Sequence, residues 1–234
     1  MLGNIVASSM LLVLGTTEGG REALFVTLSA FCVLGALMFL TMPSVEGQED
    51  KPPGVLDTAR LAAHGKVALM IPLMLTNGMT IASFVGDFQT DVTCPICGER
   101  VVGFVVACFF GVNAISSALW GRLISQKLLS RRLAFCISGL LLCSFLLFKM
   151  LWTVDPNYTR PSDSTTWHRI KDPKFSEVLI VFLLAALFAA GDAFFESGPP
   201  MTLQSFYANS SFLMPAMANY KLWQSVTRTA KQIC

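Results

Sequence analysis

The apolar residues of this chain are gathered into long runs parted by short polar segments. Five runs stand out, 23–40, 67–85, 101–120, 133–152 and 178–195. With its flanks, each reaches the ~20 residues of helix that cross a hydrocarbon core. Between them, Pro43 to Arg60, Asp87 to Arg100, Arg122 to Arg132 and Thr153 to Glu177 are rich in breakers and charge and read as loops. A strand in lipid leaves its backbone N–H and C=O groups unsatisfied, and no alternation over about ten residues suggests a barrel, so helix is the expected state of every run. The expected fold class is all-α, a polytopic transmembrane helix bundle. Residues 2–14 add a short span, since they lack the basic start of a signal peptide and carry Asn4 where such a segment is apolar. On this reading 1–41 holds two spans, 42–66 a polar central loop, 67–196 four further spans, and 197–234 a polar, amphipathic tail that cannot span.

Basic residues close to helix ends mark the cytoplasmic side. The segment Arg122 to Arg132 carries Arg122, Lys127, Arg131 and Arg132 with no acid among them, so it is expected to be cytoplasmic. The segments on either side then face outward. Two sequons, Asn157-Tyr158-Thr159 and Asn209-Ser210-Ser211, flank the last run, so at most one can carry sugar, and this orientation selects Asn157. The run 101–120 bears Gly103, Ala107, Gly111, Ala114, Ala118 and Gly121 at intervals of three and four, which hold one helix face. Small side chains let two backbones approach closely, so this helix is expected inside a bundle.

Composition agrees with lipid as the solvent: of 234 residues 53% are apolar and 14% charged, against roughly 25% charged in a soluble domain. A formal net charge of +2, evenly spread, offers no basic face for nucleic acid. Cys32, Cys108, Cys136 and Cys143 lie in apolar runs, where a thiol packs as a small hydrophobe. The two histidines, His64 and His168, sit in predicted loops, and no H-E-x-x-H, G-x-S-x-G, P-loop or G-x-G-x-x-G occurs, so neither an enzyme nor a cofactor is expected. The sharpest local motif is Cys94-Pro95-Ile96-Cys97-Gly98, one half of a zinc knuckle. The second pair that a metal needs is missing, so unpaired or disulfide-linked loop thiols rank ahead of a metal. Binding candidates are the polar groups of the runs: Asn77, Asn113, Asp192 and Glu196. The two amides are read as interhelical hydrogen-bond partners before ligands. The two acids, four apart on one helix face, are either an interfacial pair or a cation or hydrogen-bonding site.

Several segments resemble a known family. Gly191-Asp192-Ala193-Phe194-Phe195-Glu196, followed by Ala218-Asn219-Tyr220-Lys221-Leu222-Trp223-Gln224-Ser225, is similar to the late helices of the "uncoordinated ninety-three" (Unc-93-like) family. Phe84 to Thr93 with Val101 to Ala114 resembles its seventh and eighth helices, Gly121 to Arg132 its basic cytoplasmic loop, and Gly3-Asn4 the start of its fifth helix. The resemblance implies a partial major-facilitator-like fold covering roughly helices five to ten, a chain truncated at both ends, and a role in potassium-channel regulation or receptor trafficking. Its implied partners are the bilayer and a channel or receptor membrane protein, with no nucleic acid. Glu196 stands where the family commonly has a polar amide, and Pro199-Pro200 is unusual there. Two other functions remain open, transport of a small solute or ion, and a fragment without independent activity.

Overall fold

The computed structural model describes residues 54–152, 154–161, 167–208, 210 and 212–233, with Ser9, Val13, 26–27, 29–30 and Val33 before them. The spans expected at 2–14 and 23–40 lie, those few positions apart, outside the described residues, as does Asn209 of the second sequon. In chain order the elements are α1 (Val55–Ala62), α2 (Gly65–Ala68), α3 (Ile71–Ser83), a π-helical stretch (Phe84–Thr93), α4 (Cys94–Cys97), α5 (Glu99–Ser125) and α6 (Arg131–Leu151). The strands β1 (Tyr158–Thr159) and β2 (His168–Arg169) and the helices α7 (Phe175–Tyr207) and α8 (Leu213–Ile233) follow. Among the described residues four helical stretches are long and apolar enough to cross a membrane: Gly65–Cys97, Glu99–Ser125, Arg131–Leu151 and Phe175–Tyr207. The architecture is the expected all-α polytopic bundle, relieved by one antiparallel two-residue pairing of β1 with β2.

Three boundaries differ from expectation, the first being the polar central loop expected over 42–66, which holds α1 and the start of α2. The loop expected from Asp87 onward is helical as far as Cys97. Phe84, Phe88 and Val92 recur every four residues and are all buried, so the apolar face of the helix continues while Asp87 and Asp91 ride on its other side. The tail expected after residue 196 is also helical. α7 runs on to Tyr207, and α8 adds a further 21 residues.

α7 continues through Pro199 and Pro200, which lack the N–H groups that the carbonyls of Phe195 and Glu196 would otherwise receive. The Glu196 carbonyl accepts instead from the Tyr220 hydroxyl of α8 at 3.0 Å. Nearby, Ser197 Oγ donates to the Ala193 carbonyl at 2.7 Å and Thr202 Oγ1 to the Gly198 carbonyl at 2.8 Å. Of the two carbonyls that the proline pair leaves without an N–H, that of Glu196 is filled by a side-chain donor from α8.

The described chain falls into two compact units. One contains Gln89–Gly111 and Val154–Ala185, the other Glu49–Phe88, Val112–Thr153 and Ala186–Cys234. In the larger unit Phe84 stacks on Phe88 and Phe188 with ring centroids 5.2 and 5.4 Å apart, and Phe145 meets Phe188 edge-on at 4.7 Å. A Cβ added at Gly191 would stand 3.0–3.1 Å from Leu141 and Leu142, so α7 approaches α6 there at a distance that only glycine permits without a shift. α8 closes the unit: Ala216 and Tyr220 are buried with Leu61, Val67, Met70, Met74, Leu203 and Tyr207. The turn between α5 and α6 holds Lys127 at φ 57°, and Ser130 caps α6 by accepting from the Leu133 N–H at 3.2 Å.

In the smaller unit a single side chain gathers three segments. The Asn157 N–H donates to the Pro95 carbonyl at 2.8 Å, and its Nδ2 donates to the Ile96 carbonyl at 3.0 Å and to Glu177 Oε2 at 2.7 Å. Its carbonyl accepts from the Ile170 and Lys171 N–H groups at 2.8 and 3.3 Å. Gly98 lies at φ 80°, ψ 164°, a conformation essentially reserved to glycine, and an added Cβ would meet the Tyr158 ring at 2.8 Å.

Candidate functional site

A helix in lipid has no water to satisfy a polar side chain, so such groups on neighbouring helices are driven onto one another. α7 carries Asp192, fully buried, on the turn after the Gly191 close approach. Its Oδ1 lies 2.8 Å from the Thr80 hydroxyl of α3, and its Oδ2 accepts from Asn113 Nδ2 of α5 at 3.4 Å. The Thr80 hydroxyl also stands 2.9 Å from the Asn77 carbonyl, so its one proton is shared between two acceptors. Ser117, one turn along α5 from Asn113, donates to the Ala193 carbonyl at 3.3 Å. Three helices are thus tied at the depth of Asp192 by a carboxylate and neutral donors. A carboxylate at the centre of a bilayer costs about 2.5–3.5 kcal/mol on insertion scales, and these bonds offset part of it.

Asn77 joins this cluster to α8. Its Oδ1 accepts from Gln224 Nε2, whose Oε1 accepts from Lys221 Nζ at 3.0 Å. The Nδ2 of Asn77 is buried with no hydrogen-bond partner. Asn77, Asn113 and Asp192 are therefore brought together. Glu196 takes a separate course: its side chain is half-buried and borders an open cavity of about 820 Å³ with Lys221, Gln224 and Ser225. Thr80, Tyr220 and Gln224 were missed as members of the cluster. Their signal was spacing, since Thr80 follows Asn77 by three and Gln224 follows Tyr220 by four, each pair on one helix face.

The small-residue face of α5 divides along its length. Ala107 is buried and Gly103 and Gly111 are half-buried, whereas Ala114 and Ala118 are exposed and a Cβ at Gly121 would meet nothing within 4 Å. Cys94 and Cys97 are free thiols, buried on the single turn of α4. The described residues hold no group of three or more side chains suited to a metal. Asn157, the sequon selected by orientation, is fully buried and already spends on the Ile96 carbonyl and Glu177 the nitrogen to which a sugar would attach. A glycan there and this loop arrangement exclude one another. Of the basic connection, Arg131 Nη1 donates to Ser205 Oγ at 2.9 Å, while Arg122, Lys127 and Arg132 are exposed.

The chain is similar to proteins named unc-93 homolog A: 22% identical to the cattle protein over 225 residues, 23% to that of Xenopus laevis over 227, and 24% to that of zebrafish over 184. These alignments take in 90%, 91% and 78% of this chain, and 44%, 44% and 34% of the relatives, so the chain spans less than half the length of the curated relatives it matches. No family model matches it. No solved structure matches it either. The alignments extend the likeness to unc-93 homologs well beyond the segments singled out in the sequence, and the four membrane-length helices make the chain a multi-pass membrane protein.

Proposed function

We propose that this chain is a regulatory membrane protein that works by helix-to-helix contact with a second membrane protein, a channel or receptor, and turns over no substrate. The observation that carries this reading is the half-covered seam of α5. Ala107 is buried, while Ala114, Ala118 and Gly121 leave a strip of small residues open on a helix of membrane length. In lipid such a strip is the surface on which another helix packs closely, because neighbouring backbones gain van der Waals contact that lipid tails do not supply. Support also comes from the polar groups of the spans, which are largely engaged in bonds between their own helices.

Replacing both Ala114 and Ala118 by leucine fills the strip without touching the Asp192 cluster. The expected outcome is loss of co-purification with a co-expressed potassium channel while the melting temperature of the detergent-solubilised chain holds. Capture of the channel by the doubly substituted chain at the original level overturns the reading.

A second reading, transport of a small polar solute or ion, is favoured by one specific feature. The buried Nδ2 of Asn77 lacks a partner, and it belongs to a residue whose backbone carbonyl accepts from the same Thr80 hydroxyl that meets the Asp192 carboxylate. An unpaired buried donor costs ~1–3 kcal/mol and is relieved by a bound polar group. Uptake into proteoliposomes that disappears in Asp192→Asn would favour transport over regulation.

A further inference from the structure

The end of α7 is met by two cations and a histidine within the larger unit. Arg131, at the start of α6, reaches Ser205 at 2.9 Å. Lys66 of α2 places its Nζ 5.4 Å from the centre of the Phe206 ring. His64 lies with Nδ1 3.5 Å from the Tyr207 hydroxyl. Beside them a cavity of about 460 Å³ is lined by Arg60, Leu61, His64, Tyr207 and Phe212, within the ~300–1,000 Å³ typical of small-molecule sites. Its floor is apolar and closed, since Leu61 and Tyr207 are 6% and 8% exposed, and its rim carries the exposed Arg60 guanidinium beside the exposed His64 ring. Of the lining, the Phe212 ring stands half-exposed at 50%.

We infer that this cavity binds the phosphate headgroup of an anionic phospholipid. The Arg60 guanidinium offers planar, bidentate donors to phosphate oxygens, the histidine and tyrosine supply further polar groups at the wall, and Lys66 and Arg131, outside the lining, add positive charge at the end of α7. Phe212 and Leu61 give the glycerol and first acyl carbons an apolar face, so the arrangement suits an amphiphile better than a free ion. Position agrees with chemistry. Arg131 belongs to the basic connection whose charge pattern expects the cytoplasmic side, and anionic lipids are concentrated in that leaflet. The assignment stands apart from any protein partner.

The test titrates the full chain, purified in maltoside detergent, with dioctanoyl phosphatidylinositol bisphosphate, dioctanoyl phosphatidylcholine and inorganic phosphate, reading binding by thermophoresis. Each basic side chain near an anionic surface is worth roughly a fivefold change in affinity, so Arg60→Gln, Lys66→Gln and Arg131→Gln together should weaken the bisphosphate on the order of a hundredfold. Arg60→Gln alone, on the exposed rim, should weaken it roughly fivefold by the same arithmetic and guards against a misfolded triple variant. Arg100→Gln, in the other unit, should leave binding unchanged. Phosphatidylcholine binding as tightly as the bisphosphate, or unchanged affinity in Arg60→Gln, would overturn the assignment. Inorganic phosphate displacing the bisphosphate at equal concentration would overturn it too, by showing a site for the free ion.

Discussion

At the scale of single residues, Gly98 at the end of the Cys94–Gly98 motif and Asn157, which bonds to Pro95 and Ile96 within it, hold the local structure. Gly98 is held where φ and ψ suit glycine alone, with the Tyr158 ring against its Cα. Gly98→Ala should cost about 1–3 kcal/mol in backbone strain, with the ring clash added, and should lower the melting temperature followed by size-exclusion of heated detergent extracts. Cys94 and Cys97 are buried free thiols. They should resist maleimide in native membranes and react after denaturation with no reductant added; a requirement for reductant would mean a disulfide. Asn157 serves five hydrogen-bonded contacts with side chain and backbone, so endoglycosidase should leave the mobility of the wild-type chain and of Asn157→Gln alike. From sequence, the sequon was visible and the burial was not. A sequon is three residues long, whereas the partners of Asn157 lie 61 residues before it and 20 after.

At the scale of elements, α7 shows how a sequence irregularity is absorbed. Pro199-Pro200 is unusual for the resembled family, whereas Ala218 to Ser225 is part of the resemblance. The structure joins the two. Pro200 frees the Glu196 carbonyl, and Tyr220 fills it. Asn219, beside Tyr220, donates to the Thr58 carbonyl at 2.7 Å and so anchors α8 to α1. Tyr220→Phe should destabilise the chain by about 1 kcal/mol. In a Pro200→Ala background, where residue 200 regains the N–H for that carbonyl, the same change should cost much less. A double-mutant cycle on thermal unfolding in detergent measures the coupling, and additive effects would sever the link between proline and tyrosine. The runs 67–85, 101–120, 133–152 and 178–195 were legible because apolar length is a local property, and each falls within a membrane-length helix but for its edge at Trp152. The continuations to Cys97 and Tyr207 were not. Aspartates and prolines punctuate a sequence, yet a helix persists through them here, where its other face is buried and the Glu196 carbonyl finds a donor on α8.

For the molecule as a whole, lipid is the solvent that the described helices require. Alkaline carbonate should leave the chain in the membrane pellet, with detergent needed to release it; recovery in the carbonate supernatant would contradict the assignment. That conclusion was in the sequence, because about 20 apolar residues in a row state their own solvent without reference to any neighbour. The placing of a basic connection between two spans was there as well, since charge next to a helix end is read along the chain. The Asp192 cluster was not there as an arrangement. Asn77, Asn113 and Asp192 could each be picked out as costly in lipid, but their convergence with Thr80 and Gln224, the departure of Glu196 toward a separate cavity, and the gathering of Arg60, Lys66 and Arg131 at the end of α7 were decided only when the helices packed. Solvent preference is a sum over adjacent residues. A site is a meeting of residues far apart in the chain, and rotation and depth of each helix, which fix that meeting, are set by contacts such as Gly191 on Leu142.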